Sequence, residues 1–102
     1  MILREMKGVA HMKEKFKAYL IAQGYSEVTP SGKPSTVYDY MKRIDHVCAW
    51  EQIDWATLKG RIDNIVQEYE CGGEKAHLGS KSHRAVINAL YRFQECVHQN
   101  LL

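Results

Sequence analysis

Apolar residues recur at three- and four-residue spacing along most of this chain, a pattern that is typical of amphipathic α-helices packed on a common core. The first such stretch runs from about Val9 to Gln23, and Gly24 follows it where a left-handed cap would end a helix. No stretch shows the strict alternation of apolar and polar residues that marks a half-buried strand. The inward positions of this first predicted helix are Met12, Phe16, Tyr19 and Leu20.

The same spacing predicts a second and a third helix in the middle of the chain. Pro34 is expected to open the second helix, which should stop near Trp50, because the N–H that proline lacks is not needed in a first helical turn. Asp54 is the expected N-cap of the third helix, which Gly72 and Gly73 end. The inward positions of these two helices are Val37, Tyr40, Met41, Ile44, Val47, Cys48, Trp55, Leu58, Ile62, Ile65, Val66 and Tyr69.

A fourth helix is predicted beyond a loop from Glu74 to Gly79, with Ser80 or Ser82 as its N-cap. Helices this short do not persist alone in water, so the four apolar stripes must bury against one another. The sequence therefore predicts one all-α domain over residues 1–102, a compact bundle of four short helices with an ordered core of about residues 9–98. The inward positions of the fourth helix are Val86, Ala89, Leu90, Phe93 and Val97.

Composition gives no strong indication of a nucleic-acid or membrane partner, because the formal net charge is only +2. The longest apolar runs are a few residues, far below the ~20 that a transmembrane helix needs, so no membrane partner is expected. The first turn is charged and has no apolar signal region. Cys48, Cys71 and Cys96 are odd in number and widely spaced, which favours free thiols and a cytoplasmic location.

Charge is nevertheless segregated along the chain. Residues 51–74 hold six acidic residues and two basic ones, whereas residues 75–94 hold four basic residues and no acidic one. On the predicted fourth helix the polar positions recur at three and four residues, which would put them on one face opposite the core. These positions are Lys81, Arg84, Asn88 and Arg92, and the second helix adds Lys42 and Arg43. A basic helix face of this kind suits a phosphate backbone, and the ordinary alternative is a solvated surface.

The chain shows no arrangement that would support catalysis. Its histidines and cysteines lack the close paired spacing of a zinc site, and no cysteine has a base and an orienting group beside it. There is no glycine-rich phosphate loop and no carboxylate pair in a predicted apolar pocket. We therefore expect no enzyme activity, no metal and no cofactor.

Four short signatures resemble the N-terminal, SAM-like core-binding domain of tyrosine recombinases and phage integrases. They are residues 16–20 (FKAYL), 23–26 (QGYS), 36–40 (TVYDY) and 82–93 (SHRAVINALYRF). Two features differ from that family: the loop from Glu27 to Lys33 is longer than the usual turn, and the catalytic domain with its His-x-x-Arg motif is missing. Strand cutting therefore does not carry over to this chain.

The resemblance implies a SAM-like fold and a stand-alone core-binding domain that binds duplex DNA weakly, since the second and fourth helices face DNA in that family. The resemblance also implies a protein partner, either a recombinase or another protein. The alternative is a protein-interaction or accessory module of a mobile element that keeps the fold without binding DNA. Whether the chain is a whole protein or a fragment stays open. The residues predicted to contact DNA are Thr36, Lys42, Arg43, Lys81, Ser82, His83, Arg84, Asn88 and Arg92.

Overall fold

Five α-helices account for most of the described chain. The structure, a computed structural model, describes residues 2–27 and 35–102, and of residues 2–7 only the backbone. Within these ranges there is no strand, which confirms the all-α class, and the radius of gyration of 13.4 Å matches the ~13 Å of a compact 100-residue domain. The helices are α1 (Ile2–Ala22), α2 (Thr36–Glu51), α3 (Trp55–Tyr69), α4 (Ala76–Gly79) and α5 (Lys81–His98).

The prediction of four helices was wrong by one short element. The additional helix is α4, a single turn within the stretch that the sequence predicted as a loop. Four residues are too few to show a hydrophobic period, so the pattern could not reveal it. The predicted fourth helix corresponds to α5.

The helix ends agree with the sequence signals in the middle of the chain. The Thr57 N–H donates to Asp54 Oδ1 at 2.8 Å, which confirms Asp54 as the N-cap of α3. Gly24 adopts a φ of +97° after α1, as a left-handed cap requires. Pro34 lies outside the described residues, and the N-cap of α2 is Ser35, whose Oγ accepts from the Tyr38 N–H at 3.2 Å.

The first helix begins at Ile2, about two turns before the predicted start at Val9. Residues 2–7 contain neither glycine nor proline and consist mostly of good helix formers. Nothing in this segment therefore stops the helix.

The core is built around three aromatic rings that meet edge to face. The ring centroid of Phe16 lies 5.8 Å from that of Trp55 and 5.4 Å from that of Phe93, and the last two lie 5.6 Å apart. Most predicted inward positions are buried around them, while Met12, Tyr40, Met41 and Val97 are only partly buried. The prediction missed Ile87, which is 3% exposed, because it lies one residue beside the expected stripe of α5.

Replacement of Phe93 tests this core. Phe93→Ala should lower the free energy of unfolding by about 3–5 kcal/mol, because it empties a fully buried site between two other rings. Chemical denaturation followed by circular dichroism measures the change. Leu101→Ala, at a position that is 45% exposed, is the control and should change stability little. Equal stability of wild type and Phe93→Ala would contradict the described register of α5.

Two glycines provide a second test. At Gly79 an added Cβ would collide with the Tyr69 carbonyl oxygen, so Gly79→Ala should destabilise the domain by about 1–3 kcal/mol. At Gly60, inside α3, an added Cβ would meet nothing within 4 Å, so Gly60→Ala should stabilise it by about 1 kcal/mol through helix propensity. Thermal unfolding should show that the two substitutions change the stability of the domain in opposite directions. A Gly79→Ala variant as stable as the wild type would contradict the described approach of α4 to α3.

Candidate nucleic-acid interface

The start of α5 is a left-handed turn and not regular helix. Ser82, His83 and Arg84 have φ values of 56°, 56° and 69°, so only residues 85–98 of α5 are regular. We call residues 81–84 the basic turn. The prediction that Lys81 and Arg84 share one helix face with Asn88 and Arg92 was therefore wrong, because helical spacing does not extend through the turn.

Neither serine caps α5 through its side chain. Ser80 is the N-cap residue but makes no side-chain cap bond, and its Oγ donates to the His77 carbonyl oxygen at 3.4 Å. Ser82 lies inside the left-handed segment. The turn is held by its backbone, in which the Arg84 N–H donates to the Ser80 carbonyl oxygen at 3.1 Å. The side chains of residues 81–84 are all exposed, so the turn presents them to solvent.

One side of the basic turn borders a surface groove of about 380 Å³, which we call the α2 groove. Its polar lining consists of Arg43 and His46 from α2 together with Lys81 and Ser82 from the turn, and none of the described residues that line it is acidic. The structure thus brings three predicted site residues, Arg43, Lys81 and Ser82, to one place. Sequence analysis missed His46 although it follows Arg43 at the three-residue spacing of a helix face.

Trp50 forms the aromatic wall of the α2 groove and was also missed. Its ring stacks on Tyr69, with centroids 6.4 Å apart and an angle of 16° between the planes. The Lys81 Nζ lies 5.7 Å from the centroid of the Trp50 ring, within the range of a cation–π contact. Trp50 is still 38% exposed, so an aromatic edge stands beside the basic side chains.

Three of the five predicted phosphate-binding cations have no carboxylate partner among the described residues. These are Lys42, Lys81 and Arg84, all of which are exposed. An exposed cation without a partner keeps its whole charge available to an approaching anion. Within the candidate interface, these three unpaired cations are therefore expected to attract a phosphate most strongly.

The other two cations are already paired within their own helices. Arg43 Nη2 lies 3.1 Å from Asp39 Oδ1, and Arg92 Nε lies 3.2 Å from Glu95 Oε2. Glu95 also accepts from the Tyr19 hydroxyl at 3.1 Å, so Arg92 belongs to a contact between α5 and α1. Each of these arginines would have to share its charge between its own carboxylate and a phosphate.

The remaining predicted residues are spread more widely. Thr36 is exposed at the opposite end of α2 from Trp50, about 21 Å away along the helix axis. Asn88 is half-buried in the regular part of α5, and His83 projects from the basic turn. Thr36 therefore does not belong to the group around the turn.

A buried carboxylate fixes the segment that leads into the turn. Glu51, at the end of α2, accepts from the Tyr69 hydroxyl at 2.7 Å and from Lys75 Nζ at 2.6 Å. Burial raises the pKa of Glu51, but these hydrogen bonds and the charge of Lys75 outweigh burial, and the pKa lies below its usual range. The contacts join α2, α3 and the residue before α4, and so fix the chain six residues before the basic turn begins.

The cysteines differ in exposure. Cys48 and Cys96 are buried, and burial raises the pKa of Cys48 to about 12 and that of Cys96 to about 11. Cys71 is exposed, and none of the three forms a disulfide. The described residues contain no group of three or more histidine, cysteine or acidic side chains that could hold a metal ion. The absence of a metal and of enzyme activity stays a prediction.

Comparisons of the chain with protein-family models, with curated proteins and with solved structures gave no match. The likeness to integrase core-binding domains therefore rests on its sequence signatures alone. Among the described residues, no helix combines the length and the apolar character needed to span a bilayer.

Two substitutions at His83 test the left-handed turn. His83→Gly should be more stable than His83→Ala by about 1 kcal/mol, because only glycine adopts positive φ without a steric penalty. Both variants remove the imidazole, so the comparison isolates the backbone. If residue 83 were in a regular helix, His83→Ala would instead be the more stable variant by a similar amount. A higher unfolding temperature for His83→Ala than for His83→Gly would therefore contradict the left-handed turn.

Proposed function

We propose that this chain is a SAM-like core-binding domain of the integrase type that contacts duplex DNA through the basic turn and the adjoining half of α2. The observation that carries the proposal is the basic turn itself. Within residues 8–27 and 35–102, it presents Lys81 and Arg84 without carboxylate partners and borders a groove whose lining holds no acidic residue. The resemblance adds support, since α2 and α5 correspond to the helices that face DNA in that family.

Free cations matter because each neutralised phosphate releases close to one condensed counterion, which drives binding. Lys13, Lys17 and Lys75 are each ion-paired to a carboxylate elsewhere on the bundle. Lys81 and Arg84, by contrast, have no ion pair with any described residue to give up when they meet a phosphate. Lys59 and Arg61 also form no side-chain ion pair among the described residues, but Asp63 lines the same hollow as they do. The basic turn differs in that its two unpaired cations adjoin a groove whose described lining holds no acidic residue.

The predicted contacts divide into a primary and a secondary group. Lys81 and Arg84 neutralise phosphates on either side of the turn, and Lys42 adds a third contact along α2. Ser82 and His83 lie between the two cations and are nearest to the DNA. Asn88, Arg43 and Arg92 contribute less, because the first is half-buried and the arginines are paired. Thr36 reaches a phosphate only where DNA extends along the whole of α2.

The test is the salt dependence of duplex binding, measured by fluorescence anisotropy from about 20 mM salt upward, where screening is weak. For the wild type, affinity should fall steeply as salt rises. Lys81→Gln combined with Arg84→Gln should reduce the slope of log affinity against log salt by about two units, close to one for each lost phosphate contact.

The matched control removes the same charge from α3. Lys59 and Arg61 line a hollow with His98, which lies about 21 Å from Arg84 along α5. Lys59→Gln combined with Arg61→Gln should leave the slope unchanged. Equal effects of the two double variants would mean that net charge and not the basic turn governs binding. No binding at the lowest salt would favour the interaction module instead.

A further inference from the structure

A second surface cavity lies on the other side of the basic turn, where α3, α4 and α5 meet. Its volume is about 350 Å³, within the range of small-molecule sites, and we call it the α4 cavity. Tyr69, Ala76 and Ile87 form its apolar part, one from each helix. Tyr69 and Ile87 are 1% and 3% exposed, so they form a floor and not a rim.

The floor offers an aromatic face and no free polar group. The Tyr69 hydroxyl already donates to Glu51, and burial, together with this hydrogen bond, raises the pKa of Tyr69. The phenol therefore stays neutral at physiological pH. A ligand seated on this floor would contact the ring carbons of Tyr69 and the side chain of Ile87.

The rim of the α4 cavity is polar and basic. Arg84, His77 and Ser80 line it, all three are exposed, and the part of the chain that the structure describes contributes no carboxylate to the lining. Arg84 has no ion-pair partner among the described residues, and the backbone bond from its N–H to Ser80 fixes the turn that carries it. A guanidinium beside an apolar floor is the arrangement that binds a carboxylate with an attached ring.

We propose that the α4 cavity binds a small organic anion, an aromatic or branched carboxylate whose charge meets Arg84 and whose apolar body rests on Tyr69 and Ile87. An inorganic anion would leave the floor unused, and a neutral ring would leave Arg84 unused. This site does not depend on DNA binding, and its test uses no DNA.

The rate at which Cys71 reacts with a thiol reagent can report binding in the cavity. Cys71 lines the cavity and, of the three cysteines, all of them described, it alone is exposed. Its thiolate attacks one sulfur of an aromatic disulfide, forms a mixed disulfide with the protein and expels the other sulfur as a coloured product, a thiolate from a nitrobenzoate probe or, after protonation of the ring nitrogen, a thiopyridone from a pyridyl probe. The anionic probe is 5,5′-dithiobis(2-nitrobenzoate), and the neutral probe is 4,4′-dithiodipyridine. Cys71→Ser should abolish the fast reaction with both, which identifies the reporting thiol.

Arg84→Gln should slow the reaction with the anionic probe by about fivefold, the Coulomb factor for unit charges about 4 Å apart in water. The neutral probe should react at the same rate in both proteins, which controls for any change in the thiol itself. Arg84→Lys should retain most of the wild-type rate with the anionic probe. Arg61→Gln, which removes a cation outside the cavity, should change neither rate.

Competition then tests the apolar half of the site in the wild-type protein. Benzoate should slow labelling by the neutral probe in a saturable manner at constant ionic strength. Acetate, which has the charge without the ring, and benzyl alcohol, which has the ring without the charge, should not do so at the same concentration. Equal protection by benzoate and acetate, or an unchanged anionic rate in Arg84→Gln, would overturn the proposal.

Discussion

The contact of the Phe16, Trp55 and Phe93 rings holds α1, α3 and α5 together, and the surface features depend on it. The Trp55 Nε1–H donates to Asp45 Oδ1 at 2.8 Å, so the same cluster also fixes α2. Edge-to-face rings prefer defined distances and angles, which makes the relative placement of the helices specific. The end of α2 is thereby held beside the start of α5, where the α2 groove forms.

The basic turn has an unfavourable backbone conformation, which the packed helices around it stabilise. Left-handed residues other than glycine cost roughly 1–2 kcal/mol each, so an isolated segment of this sequence would not adopt the turn. Gly79 lets the chain pass directly against the end of α3, and Glu51 binds Lys75 just before α4. These contacts hold the segment that precedes the turn, and they are either buried or ion-paired.

Local signals in the sequence predicted much of the fold, but they predicted only part of the candidate nucleic-acid interface. Asp54 and the apolar stripe through Phe93 depend on neighbouring residues, so the sequence predicted them correctly. The left-handed turn could not be predicted, because no glycine marks it and its geometry depends on tertiary contacts of α4. The ion pairs of Arg43 and Arg92 were foreseeable, since their carboxylates lie at the helical spacings of four and three residues.

Arg84 stands between two surfaces, the face proposed for DNA and the rim of the α4 cavity. One guanidinium cannot give its full charge to a phosphate and to a carboxylate at once, so the two proposed ligands would oppose each other. By thermodynamic linkage, the factor by which a bound organic anion weakens the affinity for DNA equals the factor by which DNA weakens the anion. Under the two proposals together, this single side chain would act as a competitive switch without a conformational change.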